Sequence, residues 1–502
     1  MTTKDISSMR GTIEYLKEIN DILVVKNEVD PIYEISGIQA AMDNGPALFF
    51  ENIKGYPGVR DVANVFSRIE RMAGIFDISD PKKLKFKCVD AIKRPIAPRI
   101  IENAPCQEIV YTQDIDVIKT MPLLKHGERD AGRILGAGNP LLMGEYARGG
   151  SEISFKRMNF RGKDWSSMLA YYGTHIGDTV LSDHRGKKVP ITVNICTPPA
   201  VAMVAATGFI HTIVPLGADE LGIAGGLQGF PVDICKAKTV DAYAVANAEW
   251  VIEGYLEAEN RVWESDEAEK IKKARVAPMF PEWTGYLGRA YRTIKFTLTA
   301  LTHRKNPIFF TPLADSWEGD LIAHPFKEAC YYELADRQYP GLVKDVVIPH
   351  AFRSWGGVVI QVQKRRPTDE GRQRDILIQA LTSPQNLRMA VIVDEDVDPY
   401  SADDVLWAIA TRANPSTGIL TGLGSGVETL MPIERTGAST GASVTAIGID
   451  ATVPFNLKWN YERSKYPVGK IDLKKWFSEE VIRNVKSQQC EYAKVWIKSQ
   501  LD

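Results

Sequence analysis

At 502 residues the chain is too long for a single hydrophobic core, so two or three domains are expected. Its hydrophobic content of 44% and charged content of 25% are those of a soluble globular protein. A formal net charge of −2, with no long block of Lys or Arg, argues against a nucleic-acid partner.

Six cysteines (Cys88, Cys106, Cys196, Cys235, Cys330 and Cys490) are scattered singly, with no C-x-x-C pair. That usage fits reduced thiols in the cytoplasm better than a disulfide framework or a structural zinc site. The N-terminus is polar and then amphipathic, without the apolar core of a signal peptide. No apolar run approaches the roughly 20 residues of a membrane span. A soluble, cytoplasmic protein is expected.

In chain order, Met9, Ile13, Leu16 and Ile19 predict a helix, and Ile22–Val25 a buried strand. Ala47–Phe50, followed by Asn52–Pro57, predicts a strand ending in a turn. The proline-rich piece Arg94–Cys106 reads as an extended connection and a boundary. From about 110 to 312 short strands dominate: Pro190–Cys196, Ala200–Ala206, Val251–Leu256 and Ile308–Phe310, with helices over 166–180 and 240–249.

Within that region, Ser151–Arg157 alternates, with Ile153, Phe155 and Arg157 on one face of a strand and Glu152, Ser154 and Lys156 on the other. Gly162 serves a turn, and Met168, Tyr171, Tyr172 and His175 share one face of the helix that follows. An arginine on an apolar strand face, close to an acid and a histidine, marks this stretch as the place for a cofactor. After Pro312, helices (Pro325–Arg337, Ile376–Thr382, Ala402–Arg412) alternate with strands (Val343–Ile348, Val358–Val362, Ala390–Val393), which predicts a second α/β domain with a mainly parallel sheet. A helix near Leu473–Lys498 ends the chain.

No phosphate loop, H-E-x-x-H or G-x-S-x-G motif is present. Gly422–Gly426 and Gly222–Gly226 each read as part of a phosphate loop or as a plain glycine-rich loop. His175 reads as a ligand or as a core histidine, and Glu220 as a ligand, a loop acid or a helix cap. Glu282 stands among Phe280, Trp283 and Tyr286, where burial would raise its pKa and suit it to proton transfer; the other reading is an exposed turn acid. Asp450, after Ala446–Ile449, caps its strand or binds a cation.

Several segments stand in an order and spacing that resemble one family. They are Ala104–Glu108, Ile153–Arg157, Thr174-His175, Asp219–Gly225, Ala248–Gly254, Phe280–Tyr286, Asp394–Asp398 and Leu406–Arg412. Across nearly the whole chain the sequence resembles the UbiD family of reversible, prenylated-flavin-dependent decarboxylases. Its Lys364–Gln373 region is similar to that of the hydroxybenzoate and protocatechuate decarboxylase branch.

The resemblance implies an α/β (α+β) protein: an N-terminal α/β domain (1–110), a central split β-barrel flavin-binding domain (111–315), a C-terminal α/β oligomerisation domain (316–460) and a helical tail (461–502). It implies prenylated FMN whose phosphate meets a divalent ion, Mn²⁺ or else Mg²⁺ or Fe²⁺, held by Glu152, His175 and Glu220. K⁺ is implied near Glu220, Asp450, Arg412 and the carbonyls of Ala205 and Thr207. Ser154, Phe155, Lys156, Arg157, Thr174 and the stretch Met203, Ala205, Ala206, Thr207 are implied around the flavin.

For chemistry the resemblance implies a flavin electron sink, Arg157 as partner of the carboxylate and Glu282 as proton donor. A second glutamate that some members carry five residues before the first is Ala277 here, so an intact Glu-Arg-Glu relay is not expected. In Asp315–Asp320 no histidine falls in register, which leaves Glu318 or His324 as the substitute. Trp355 stands where a catechol-reading lysine is expected, favouring a larger or less hydroxylated aromatic acid or an aromatic acyl-CoA thioester.

The expected partners are that acid, CO₂, a flavin prenyltransferase and further copies of the chain as a dimer or hexamer. Alternative activities are the catalytic subunit of an aryl phosphate carboxylase and a polyprenyl-hydroxybenzoate decarboxylase of ubiquinone synthesis; a non-catalytic flavin-binding assembly protein is the third reading.

Overall fold

The computed structural model describes residues 4–208, 213–383, 387–423 and 446–500. Two compact units result, one running to Cys330 and the other from Tyr331 onward. Among the described residues no helix is long and apolar enough to cross a membrane.

The first unit opens with the predicted helix Met9–Glu18, started by the Ser8 hydroxyl, which accepts from the backbone N–H of Gly11. It buries Met9, Ile13 and Leu16, the stripe that the 3.6-residue period dictates. A four-stranded sheet follows in the order Ile22–Val29, Ala47–Ile53, Arg60–Ala63, Ile308–Phe310. Its first strand was expected to be buried, yet Leu23 and Val24 are exposed because that strand lies at the sheet edge.

A closed six-stranded barrel forms the centre of this unit. Its strands, with neighbours on either side, are β1 (Ile134–Met143), β2 (Ser151–Ile153), β3 (Lys156–Phe160), β4 (Trp165–Met168), β5 (Lys188–Ile195), β6 (Trp250–Trp263), β7 (Pro278–Pro281), β8 (Leu287–Arg289) and β9 (Arg292–His303). The ring runs β1–β3–β4–β9–β6–β5 and closes where β5 pairs with β1 through Thr192–Leu141, Val193–Pro140 and Asn194–Asn139. Closure gives every ring strand two neighbours and leaves no open edge. Strand β2 hangs from β1 outside the ring, and β7 and β8 make a separate hairpin.

Four expectations fail in this region. Ser151–Arg157 is not one strand: it breaks at Ser154-Phe155, where the Phe155 N–H donates to the carbonyl of Ala205 instead of a sheet neighbour. The helix predicted over 166–180 begins only at α1 (His175–Asp178), because Trp165–Met168 is the ring strand that joins β3 to β9. Ala200–Ala206 lies in helix α2 (Pro199–Thr207), not a strand; a run apolar on all sides has no period to read, and burial on every side suits a helix equally well. Residues 240–249 hold the short strand Tyr243–Val245 in place of a helix.

Gly222–Gly226 lies inside helix α3 (Glu220–Gln228) rather than in a loop. A β-carbon on Gly225 would sit 2.4 Å from the carbonyl oxygen of Ile96, and one on Gly226 2.8 Å from that of Arg94. These glycines admit close packing of chain on helix. They form no phosphate cradle.

The second unit is a five-stranded sheet in the order Val343–Val347, Gly357–Val362, Met389–Asp394, Ala446–Ala451, Ile419–Leu423. The three central strands are parallel and both outer ones antiparallel, so the sheet is mixed rather than mainly parallel. Ile376, Leu377, Ala380 and Leu381 of helix Arg372–Thr382 pack on one face, and Val405 and Ala408 of helix Ala402–Arg412 on the other. The single tail helix expected over 473–498 is two, Glu479–Gln488 and Glu491–Ser499. Gly424–Gly426, part of the other suspected phosphate loop, and the side chain of Trp355 lie outside the described residues.

Candidate active site

Two clusters flank the break between β2 and β3. On the β2 side, the Ser151 hydroxyl donates to Asp219 at 2.5 Å and accepts from the N–H of Leu221 at 2.8 Å. The Ile153 N–H donates to Glu220 Oε2 at 2.7 Å. These bonds pin β2 to the start of α3, where Glu220 is the first helical residue. His175 begins α1, whose cap Thr174 accepts from the N–H of Gly177. Glu152, His175 and Glu220 thereby line one cavity with Arg148 and Thr179, and His175 Nδ1 lies 3.8 Å from Glu152 Oε2.

Burial pushes the Glu152 carboxyl up to about 8 against the pull of Lys156, and it raises that of Glu220, with Glu152 adding repulsion. Burial likewise lowers the Lys156 ammonium while the two acids oppose it. Two carboxylates crowded into one low-dielectric cavity are stabilised in their charged form by a cation. Among the described residues no three acidic, histidine or cysteine side chains are close enough to hold a metal by themselves. The donor set is therefore open: two hard oxygens and an imidazole, with Arg148 and Lys156 supplying positive charge beside them. It fits a divalent ion that takes its remaining ligands from an anionic cofactor.

On the β3 side, Arg157 is buried and its guanidinium is held from three directions. Nε and Nη2 donate to the two oxygens of Glu264 at 3.0 and 2.7 Å, Nη2 also to the carbonyl of Arg289 at 2.8 Å, and Nη1 to Glu282 Oε1. The rings of Phe280 and Tyr291 lie 5.8 and 5.7 Å from its central carbon. Burial alone would lower the Arg157 pKa; Glu264 and Glu282 outweigh it, so the group stays charged.

Glu282 follows β7, and a turn through Gly285 (φ 79°) leads into β8. It is 5% exposed, which removes the reading of an exposed turn acid. Trp283 is half-buried, whereas Tyr286 is an exposed side chain.

Sequence reasoning missed two residues here. Glu264, directly after β6, is fully buried and forms the bidentate pair with Arg157. The group missing at Ala277, expected from Glu318 or His324, is thus supplied from position 264, while Ala277 packs among Ile134, Met279 and Phe280 in an apolar cluster. Gly288 is the other: a β-carbon there would lie 2.6 Å from Glu282 Cγ and 3.2 Å from Arg157 Nη1.

Glu318, on helix α4 (Trp317–Leu321), does not take the missing acid's place. Its two oxygens accept from the backbone N–H groups of Asn64 and Phe66. His324 stands 3.2 Å from Asp320. Ser154 follows β2, with its buried hydroxyl oxygen lacking a hydrogen-bond partner, and Met203, Ala205, Ala206 and Thr207 form the last turns of α2.

The residues assigned to potassium in the second unit each have protein partners. Asp450 accepts from Thr452, Gln373 and Arg374, and Arg412 pairs with Asp394 and Asp396.

Three family profiles match in order: the N-terminal domain of 3-octaprenyl-4-hydroxybenzoate carboxy-lyase over residues 13–86, its Rift-related domain over 99–315 and its C-terminal domain over 320–451. A gallate decarboxylase of Lactiplantibacillus plantarum is 30% identical over 465 residues, covering 88% of this chain and 92% of that protein.

Among solved structures, 3,4-dihydroxybenzoic acid decarboxylase of Klebsiella pneumoniae is 28% identical with a TM-score of 0.80, covering 94% of this chain and 100% of its own. The UbiD-class enzyme HmfF of Pelotomaculum thermopropionicum, in complex with prFMN, is 26% identical with a TM-score of 0.79, covering 94% and 100%. Three successive domain matches, a shared fold and a closed central barrel carrying both clusters lead to one conclusion: the chain belongs to the UbiD family of carboxy-lyases.

Proposed function

We propose that this protein is a non-oxidative, reversible decarboxylase of an aromatic carboxylic acid, as the free acid or its acyl-CoA thioester, with prenylated FMN as cofactor. The observation that carries this reading is a buried Arg157 held between two carboxylates, five residues from Glu152 at the open donor set. Loss of CO₂ from an sp² carbon leaves an electron pair with nowhere to go, and prenylated FMN, when bound, supplies the acceptor for it.

The chain's own residues do the rest. Glu152, His175 and Glu220 hold the divalent ion, which we take to be Mn²⁺ with Mg²⁺ or Fe²⁺ as substitutes, and Lys156 and Arg148 add charge suited to a phosphate. K⁺ is the second ion we assign, beside Glu220. Arg157 receives the carboxylate through the one Nη1 N–H that Glu264, Arg289 and Glu282 leave, and Glu282 on the same guanidinium returns a proton to the carbon that lost CO₂. Exposed Trp459, Trp476, Phe477, Val481 and Val485 in the tail support self-association of this chain.

The test is coexpression with a flavin prenyltransferase, followed by the absorbance spectrum and mass of the bound cofactor and by CO₂ release across a panel of aromatic acids. Wild type is expected to carry the modified flavin and turn over at least one acid. Glu282→Gln is expected to keep the flavin and lose CO₂ release by at least a hundredfold. Full activity in that variant, or active enzyme without flavin, defeats the proposal.

A further inference from the structure

We infer that Cys106 and Cys235 form an oxidisable dithiol, a site where a hydroperoxide joins the two sulfurs as a reversible disulfide and so clamps the segment that supports helix α3. The two residues stand 129 positions apart, so nothing in their spacing announces a pair. In the folded chain their sulfurs lie 3.7 Å from each other in S–H···S contact. They must close by about 1.7 Å to reach bonding distance.

The fold brings the pair together at the support of α3. Cys235 lies on the strand Asp233–Lys236, which pairs with Tyr243–Val245 and with Arg99–Ile100. Cys106 sits in the turn Pro105–Gln107, at the end of the proline-rich connection, and its N–H donates to the carbonyl of Ala246 at 3.0 Å. Earlier in that connection the Ile96 N–H donates to the Gly222 carbonyl of α3 at 2.8 Å. The N–H groups of Arg99 and Ile101 donate to the carbonyls of Val232 and Ile234 at 2.9 and 2.8 Å. Helix α3 presents Glu220 at its start. A disulfide adds a covalent tie to a connection otherwise held by these bonds and the exposed Arg99–Asp233 ion pair.

Of the two, Cys235 is the nucleophile. The hydrogen bond from Cys106 holds the Cys235 thiol below the usual cysteine range against the effect of burial, and the same bond raises that of Cys106. Burial raises Cys88 and Cys196 well above that range, so neither competes as a thiolate. Both sulfurs of the pair belong to buried side chains, and a site this closed favours a small oxidant. The Cys235 thiolate attacks one oxygen of hydrogen peroxide, the O–O bond breaks, and the other oxygen takes a proton and leaves as water. The Cys106 sulfur then attacks the sulfenic sulfur, and its proton departs with the hydroxyl as a second water. Two thiols and one peroxide thus give one disulfide and two waters, and the two electrons lost by sulfur end on oxygen.

The test uses the full chain carrying Cys490→Ser, which removes the exposed thiol. Treatment with hydrogen peroxide is expected to lower the intact mass by that of two hydrogens. Digestion is expected to yield one cross-linked species that holds the Cys106 and Cys235 peptides and that dithiothreitol separates. The link is expected to vanish in Cys106→Ser and in Cys235→Ser. A disulfide across so long a loop is expected to raise the unfolding temperature by roughly 3–10 °C, and dithiothreitol to restore the lower value.

The peptide map of the chain with both cysteines in place decides even where a serine variant fails to fold. A link between other cysteines overturns the inference, and so does a sulfinic or sulfonic acid at either residue without a link. A pair still reduced after treatment that fully oxidises a free dithiol peptide overturns it as well. A link that leaves the unfolding temperature unchanged removes the clamp.

Discussion

Gly288 stands against Glu282 with no room for a methyl group: a β-carbon at 288 would come within 2.6 Å of Glu282 Cγ and 2.9 Å of the Phe280 carbonyl oxygen. The absence of a side chain on β8 is what lets Glu282 lie flat on Arg157. Gly288→Ala is therefore expected to displace Glu282 and lower kcat/KM by roughly ten- to a hundredfold. It is expected to lower stability by about 1–3 kcal/mol. Kinetics on the flavin-loaded variant and its urea unfolding curve check both. Unchanged kcat/KM removes Glu282 from the position we assign.

Glu318 carries a pH dependence of stability. Burial raises its pKa to about 7, although the N–H groups of Phe66 and Asn64 favour the charged form. An unfolded glutamate titrates near pH 4.3. Between these values the folded chain keeps a proton that the unfolded chain has released, so this residue makes stability fall as pH rises through the window. The change amounts to at most about 4 kcal/mol.

Glu318→Gln is expected to flatten that slope. It is also expected to lower stability at pH 5 by about 1 kcal/mol, because one backbone N–H loses its acceptor. Urea unfolding of both proteins from pH 5 to pH 8 decides. Parallel curves would place the titration elsewhere.

Arg412 serves the structure of the second unit. It is 9% exposed and pairs with Asp394, itself buried, and with the more open Asp396. Arg412→Ala removes the ion-pair partner of buried Asp394 and leaves it only the pull of Lys364, and the expected loss is on the order of 3 kcal/mol. The loss is expected to be the same in potassium-free and potassium-rich buffer. A loss seen only with potassium present would return Arg412 to the ion site.

What could be read along the chain depended on how far apart the partners stand. Helix Met9–Glu18 and helix Ala402–Arg412 announce themselves by periodic apolar residues and nearby caps, so local sequence suffices for them. Trp165–Met168 carries two serines and no strand-like alternation. Only its neighbours on both sides make it a strand.

Glu264 is the harder case. It stands before Ser265, which caps the helix Asp266–Ile271, and so looks like one more acid ahead of an acidic first turn. Its partner Arg157 is 107 residues away, and nothing local marks the pair. That Glu152, His175 and Glu220 would share one cavity was legible only through likeness to a family, since no short spacing joins them.

The break at Ser154-Phe155 has a consequence for how such an enzyme opens. The clusters we assign to anchor and reaction centre are borne by adjoining halves of one short piece of backbone, β2 fastened to α3 and β3 built into the ring. Any swing of that piece to admit a substrate would disturb the cavity we assign to the cofactor and the cradle of Glu282, our proposed proton donor, together. The doorway must therefore be hinged on other parts of the chain, and changes that widen substrate choice should accumulate there while these seven residues stay still.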